Sequence, residues 1–119
     1  MANVVSENYK ENHIKQGDLY MERAAALSGN KAIAMYRKAR GEYALAQDQK
    51  KVMAATDRIL EIQGVDSAQA AREYRCMASE AAVLEQPGET AYNRKAEAHE
   101  RQAARNESLT KKLEAAGKS

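Results

Sequence analysis

Apolar residues recur every three or four positions along almost the whole chain, which is the spacing of helix faces. Residues that favour helices (Ala, Glu, Lys, Arg, Gln and Met) dominate, and no alternation of apolar and polar residues reaches strand length. Strong turn signals stand at 28–30, 64–67, 86–88 and 117. The pattern predicts an all-α protein of five or six antiparallel helices that form two to three stacked αα-hairpins.

Two segments of this pattern look alike. Five residues of the segment 31–46 recur 38 residues later in 69–84. The recurring residues are Ala32, Tyr36, Arg37, Glu42 and Ala44, which return as Ala70, Tyr74, Arg75, Glu80 and Ala82. Because that period is about the length of one helical hairpin, it favours an architecture of repeated αα units.

Helix boundaries follow from the stripes and the turn signals. A first helix is predicted from about Ser6 to Leu27, and a second begins at Asn30 as its N-cap. Asp66 caps a helix that runs to about Glu85, and Glu89 begins the last. The inward stripe of the helix after Asp66 is predicted to consist of Ala70, Tyr74, Met77, Ala81 and Leu84.

The segment 30–63 has two interpretations. A turn at Gln47 to Gln49 would give two antiparallel helices. However, Leu45, Val52 and Ile59 stand seven residues apart, which also fits one continuous helix with a coiled-coil stripe. Both alternatives stay open from the sequence.

Length and composition predict a single all-helical domain over 1–119. The chain has 24 Ala and neither Trp nor Phe, so its helices can approach closely but bury little apolar area each. Disorder is predicted for 1–5 and 117–119, and weak packing for 106–116, where only Leu109 and Leu113 can anchor the helix.

The second predicted helix and its surroundings resemble the tetratricopeptide repeat, a hairpin of two interlocking helices. The resemblance rests on Gly17, Tyr20, Ala32, Tyr36 and Ala39, which match that family's small and aromatic positions. The chain departs from the family pattern at three further positions. These are His13, Gln16 and Ala44, where the family has Trp, Leu and Pro.

Residues 6–63 also resemble the microtubule-interacting and trafficking domain. Gly29-Asn30, then 32–39 and Tyr43, are similar to the second helix of that family, and 52–62 to its third. That family is a three-helix bundle whose grooves accept a helix of a partner protein. Both resemblances imply a helical scaffold that binds a helix or peptide in a groove.

Candidate catalytic groups do not form a constellation. His99-Glu100 begins like a zinc-protease helix, but Ala103 stands where the second histidine is needed. His13 and Cys76 have no partner at ligand or triad spacing. The sequence therefore predicts no catalytic site, no metal site, no cofactor and no enzyme activity.

Charge, hydropathy and cysteine content limit which classes of partner and which cellular location the sequence predicts. The net charge of +2 comes from interleaved acidic and basic residues, which predicts no nucleic-acid surface. No stretch reaches the roughly 20 apolar residues of a membrane span. The single cysteine favours a reducing, cytoplasmic location, although specialised export without a cleaved signal stays open.

Tyrosine and arginine are the best candidates for binding a partner. Tyr buries its ring while its hydroxyl reaches a polar group, and a repeated Arg can grip acidic side chains. The candidate partner-binding residues are Tyr9, Tyr20, Arg37, Arg75 and Tyr92, of which Tyr9 and Tyr92 are predicted to be exposed.

Together these features favour a protein-interaction module. The predicted function is that of an adaptor or chaperone-like protein, which binds a helix or peptide of another protein in a groove between its helices. The alternative is structural self-assembly, in which 30–63 forms one long helix and two chains make a homodimeric bundle.

Overall fold

A computed structural model describes residues 7–117, which form five α-helices and no strand. The helices are α1 (Glu7–Ala25), α2 (Gly29–Leu45), α3 (Gln49–Gln63), α4 (Ser67–Val83) and α5 (Glu89–Gly117). The all-α prediction is confirmed. The disorder predicted for 1–5 and for 118–119 falls outside the described residues, and Gly117 is the last residue of α5.

The packing contacts divide the chain into two compact units. Unit 1, Met1–Gly64, contains α1, α2 and α3, and α1 and α3 both pack against α2. Unit 2, Val65–Ser119, contains the hairpin of α4 and α5. The single domain that the sequence indicates for 1–119 stays a prediction.

The core of unit 1 brings together all three of its helices. Its buried residues are Ala24 from α1, Ala32, Ile33 and Tyr36 from α2, and Ile59 from α3, with Met21 and Met35 packed against them. The alanines let the helices approach closely, so the larger side chains fill the space between them. Most of the hydrophobic stabilisation of unit 1 comes from these few large side chains.

A turn at Ala46–Asp48 separates α2 from α3. Gln47 has a φ of +58°, a conformation that no helix continues through. The Asp48 carboxylate then accepts a hydrogen bond from the Lys51 backbone N–H at 3.1 Å and so begins α3. Residues 30–63 are therefore two helices, and the long helix on which the self-assembly alternative depends is absent.

Two other helix starts differ in their capping. The N-cap of α2 is Ser28 and not Asn30, because Ser28 has an extended backbone (φ −136°, ψ 164°) and α2 begins at Gly29. The Ser28 side chain makes no capping hydrogen bond. At α4 the predicted cap is confirmed, since Asp66 accepts from the Gln69 N–H at 2.8 Å.

In unit 2 the buried side chains come from one face of each helix. They are Ala70, Ala71, Tyr74, Ala78 and Ala81 on α4, and Tyr92 and Ala96 on α5. Arg75, at the centre of α4, bonds to Asn93 at 2.8 Å and to Glu100 at 2.7 Å, which fixes the antiparallel register of the hairpin.

α5 is much longer than its partner helix. With Arg75 opposite 93–100, the beginning of α4 lies opposite about residue 104, so the rest of α5 extends past α4. Residues 104–117 are all exposed. At 1.5 Å per residue this overhang is about 20 Å long. Leu109 and Leu113, the predicted anchors, are among its exposed residues.

Candidate partner-binding face

The repeat seen in the sequence is also a repeat in the structure. α2 and α4 each span 17 residues, and both ends of α4 lie 38 residues after those of α2. The C-terminal caps agree as well. The N–H groups of Asp48 and Gln86 donate to the carbonyls of Tyr43 and Ala81, at 3.1 and 2.8 Å. Each position of α2 therefore has a structural equivalent in α4.

In unit 1, α1 covers one side of α2. The His13 ring Nδ1 lies 2.5 Å from a carboxylate oxygen of Glu42, and the Lys38 ammonium lies 5.8 Å from the centre of the Tyr20 ring. Lys38, Glu42 and Ala46 are spaced four residues apart, so they share this side of α2. α3 packs on α2 as well, and Ile59 joins Tyr36 in the core.

Tyr43 of α2 contacts residues of both α1 and α3. Its hydroxyl donates to the Asp18 carboxylate at 2.5 Å, and the Lys51 ammonium lies 3.4 Å from the same oxygen. Burial of the ring, the hydrogen bond to Asp18 and the nearby carboxylates raise the pKa of the Tyr43 phenol above its usual range. Gly17 lies directly against the ring, where a Cβ atom would approach it to 2.5 Å.

In unit 2, α5 is the one helix that packs against α4. The bonds from Arg75 to Asn93 and Glu100, and the Tyr74 ring stacked on the His99 ring at 5.8 Å, place α5 on one side of α4. Within unit 2 no helix takes the place that α1 has on α2. The side of α4 equivalent to the α1-covered side of α2 therefore lacks a counterpart of α1.

This uncovered side, which we term the α4 face, consists of Glu73, Cys76, Met77, Glu80, Val83 and Leu84. These residues recur every three or four positions and so share one side of the helix. Leu84 is 61% exposed, whereas its equivalent Ala46 is 3% exposed. Val83 is 80% exposed. Removing apolar side chains from water lowers the free energy, so a partner that covers this face would be stabilised by the contact.

The α4 face is also acidic. Glu80 is the equivalent of Glu42, but its carboxylate is exposed and bonds to no other described residue. The α4 face lacks the cation found on the α1-covered side of α2, since Cys76 stands at the position of Lys38. Glu73 adds a second carboxylate. A partner on this face therefore meets two negative charges around an apolar centre.

The predicted site residues of α1 lie beside its contact with α2. Tyr9 is 42% exposed, as predicted, and its ring packs edge-on against His13 with centroids 4.4 Å apart. Tyr20 is half-buried, with the Arg23 guanidinium 6.0 Å and the Lys38 ammonium 5.8 Å from its ring centre. Both tyrosines belong to unit 1 and are not part of the α4 face.

Arg37 and Arg75 occupy equivalent positions but have different surroundings. Arg75 bonds to α5, and this contact raises the pKa of Arg75 and lowers that of the Glu100 carboxyl. Arg37 is exposed and makes no ion pair with another residue of 7–117. Within unit 2, Arg75 is already bound to Asn93 and Glu100.

Tyr92 is buried, with 8% of its surface exposed, so the prediction that it is exposed is wrong. It is the fourth residue of α5 and shares one side of that helix with the fully buried Ala96. Leu84 is the opposite case, because it was predicted to point inward. α4 ends at Val83, and Leu84 begins the turn.

Val83, Leu84 and Glu80 were not predicted from the sequence to form a face. The signal was nevertheless present in the repeat. A helix precedes the first copy and packs on it, but the second copy follows directly after α3 and its short turn. An unmatched helix in one of two copies indicates an uncovered side in the other.

The other features that could indicate a function are metal ligands, buried polar atoms and membrane-spanning helices. Among residues 7–117, no three His, Cys, Asp or Glu side chains lie close enough together to bind a metal ion. His99 has a buried Nε2 atom that finds no hydrogen-bond partner in the described part of the chain. None of the described helices has the length and apolarity that a membrane crossing requires.

Comparisons with known proteins add no relative to this picture. No protein family, no curated protein and no solved structure matches the chain.

Proposed function

We propose that this protein is an interaction module, an adaptor or chaperone-like protein, which binds a helix of another protein along the α4 face. The observation that carries the proposal is the contrast between equivalent positions. Ala46 is 3% exposed in unit 1, while its equivalent Leu84 is 61% exposed in unit 2, beside the exposed Val83. A helix of a partner would bury these side chains as α1 buries the equivalent side of α2.

The repeat supports a helix as the occupant. α2 and α4 have matching lengths and C-terminal caps, so α4 presents the same arrangement of positions that already packs against a helix in unit 1. The resemblance of residues 6–63 to a three-helix bundle that binds partner helices points to the same class of activity. Binding of this kind depends on a few apolar anchors in a centre from which water is excluded.

The test selects helical peptides from a display library against the full chain. Enriched peptides are then measured against the variants Leu84→Asp and Leu113→Asp. Both leucines are exposed, so neither change is expected to unfold the protein, which circular dichroism would check. Leu113 lies on the overhang of α5 and serves as the matched control.

We expect Leu84→Asp to weaken peptide binding about tenfold or more, because a carboxylate replaces an exposed apolar anchor at the C-terminal end of the face. Leu113→Asp should leave the affinity unchanged. If the enriched peptides bind Leu84→Asp as tightly as the unaltered protein, the α4 face is not the binding site and the proposal is wrong.

A further inference from the structure

We infer that the partner of the α4 face is an amphipathic helix with basic side chains opposite Glu80 and Glu73. This inference rests on the proposed function and adds the chemistry of the partner. The charge and the exposure of the α4 face decide it, with unit 1 as the template.

The contact between His13 and Glu42 shows how a helix satisfies this position. The Glu42 carboxylate is three-quarters buried beneath α1 and receives its hydrogen bond from a side chain of the covering helix. A carboxylate covered without a donor would lose its hydration and gain nothing in return. A helix that covers Glu80 must therefore bring a donor, and a cation is the donor that a carboxylate binds most strongly.

The substitutions between the two copies show that the partner must be more basic than α1. Among the six positions of the α4 face, Lys38 of α2 is replaced by Cys76, while Glu42 is retained as Glu80. The position of Met35 is taken by Glu73. Over these six positions the local charge thus changes from 0 to −2, counting Lys38 and Glu42 against Glu73 and Glu80. Opposite charges across an interface select the partner and speed its association.

The apolar part of the face also differs. Leu84 replaces Ala46 and Met77 replaces Ala39, so larger side chains stand where α1 meets alanines. The α1 helix of a second copy suits this surface poorly. It is held in its own unit, where Gly17 fits against the Tyr43 ring, and unit 2 has Ala81 at the position of that ring. The partner is therefore a helix of another protein with its own apolar stripe.

Two synthetic peptides test the inference on the full chain. Both carry residues 7–27 with Gly17→Leu, which excludes them from the α1 site on α2 because a side chain there meets the Tyr43 ring. One peptide also carries His13→Lys and the other His13→Glu, so that they differ only at position 13, by two units of charge. Fluorescence anisotropy of labelled peptide gives each dissociation constant.

We expect the lysine peptide to bind about threefold or more tightly than the glutamate peptide, the size of effect that a partly exposed charge pair supports. Glu80→Gln should remove most of this preference, and Glu80→Lys should reverse it. Leu84→Asp should weaken both peptides about tenfold. Glu107→Gln, on the α5 overhang, is the matched control and should change nothing.

The outcomes separate the inference from the proposed function. If Leu84→Asp weakens binding but the charge at Glu80 has no effect, the basic partner is wrong while the helix-binding face stands. If neither change matters, both are wrong. If no peptide binds at millimolar concentration, the inference fails and the library selection still tests the face. If light scattering shows a dimer that Leu84→Asp dissociates, the occupant is a second copy and the inference is overturned.

Discussion

In unit 1, α2 lies between two helices, whereas in unit 2 its equivalent α4 packs against one helix of the same unit. The helices match in length and in their C-terminal caps, so the difference does not come from where each helix begins and ends. It comes from α1, which has no counterpart in unit 2. A repeated helix thus has a repeated backbone, while the number of its neighbours decides which side chains are buried.

The large side chain that packs between the helices also comes from a different helix in each unit. In unit 1 a tyrosine of α2, Tyr43, reaches α1 and α3 with its ring and hydroxyl. In unit 2 that position is Ala81, and the large residue comes from α5, where Tyr92 stands at the place that Val52 has in α3. The following predictions test how far each unit depends on such contacts.

The largest effect is expected from Gly17→Ala. The added methyl group would approach the Tyr43 ring to 2.5 Å, so α1 or the ring must shift, and we expect a loss of about 1–3 kcal/mol in the free energy of unfolding. Gly41→Ala is the matched control in the exposed interior of α2, where nothing lies within 4 Å. That change should raise the stability by roughly 0.5–1 kcal/mol. Urea unfolding measures both, and equal midpoints would contradict the close contact.

Tyr43→Phe should lower the stability of unit 1 by about 1–2 kcal/mol, because the hydrogen bond to Asp18 is lost. The pH dependence gives a second measurement. The pKa of the phenol is raised in the folded state, so its stabilising contribution is complete below pH about 10 and is lost as the pH rises beyond that value. Alkaline unfolding should therefore be less steep for Tyr43→Phe, and identical alkaline profiles would argue against the contact.

His99→Ile should raise the stability of unit 2 by about 1 kcal/mol. His99 has the same place in α5 that the buried Ile59 has in α3, ten residues after the first residue of the helix. The change removes a buried nitrogen without a partner, which outweighs the loss of stacking on Tyr74. Thermal unfolding followed by circular dichroism measures the effect. A lowered midpoint would mean that the ring contact matters more than the unsatisfied atom.

The smallest effect is expected from the equivalent N-caps. Asp66→Ala removes the hydrogen bond to the Gln69 N–H and should cost roughly 0.5–1 kcal/mol. Ser28→Ala should have a smaller effect, because the Ser28 side chain makes no capping bond. Denaturant unfolding of the two variants gives the comparison, and equal losses would show that the capping difference is not real.

The helices of this protein could be predicted from its sequence because they depend on local signals. Asp66 as a cap, Glu89 as a start and the period between the copies are all visible in the residues. The turn at Gln47 could not be decided, since no glycine or proline marks it and a glutamine takes the positive φ. Asp48, a good N-cap residue, was the available sign of a helix start there.

The binding face was harder to predict because it depends on which helices meet. Leu84 and Tyr92 both follow the apolar period, yet one is exposed and the other buried. Period alone gives the side of a helix and does not give the neighbour that covers it. Tyr9 was predicted correctly as exposed because it lies near the N-terminal end of α1.

The overhang of α5 has a mechanical consequence. Residues 104–117 form a helix with no neighbouring helix in its unit to stiffen it, so its shape depends on its own hydrogen bonds and on local pairs such as Glu107 with Lys111. Short helices without packing open readily in water. The overhang is therefore a single helix about 20 Å long, which is rigid while its hydrogen bonds are intact and bends wherever a turn opens.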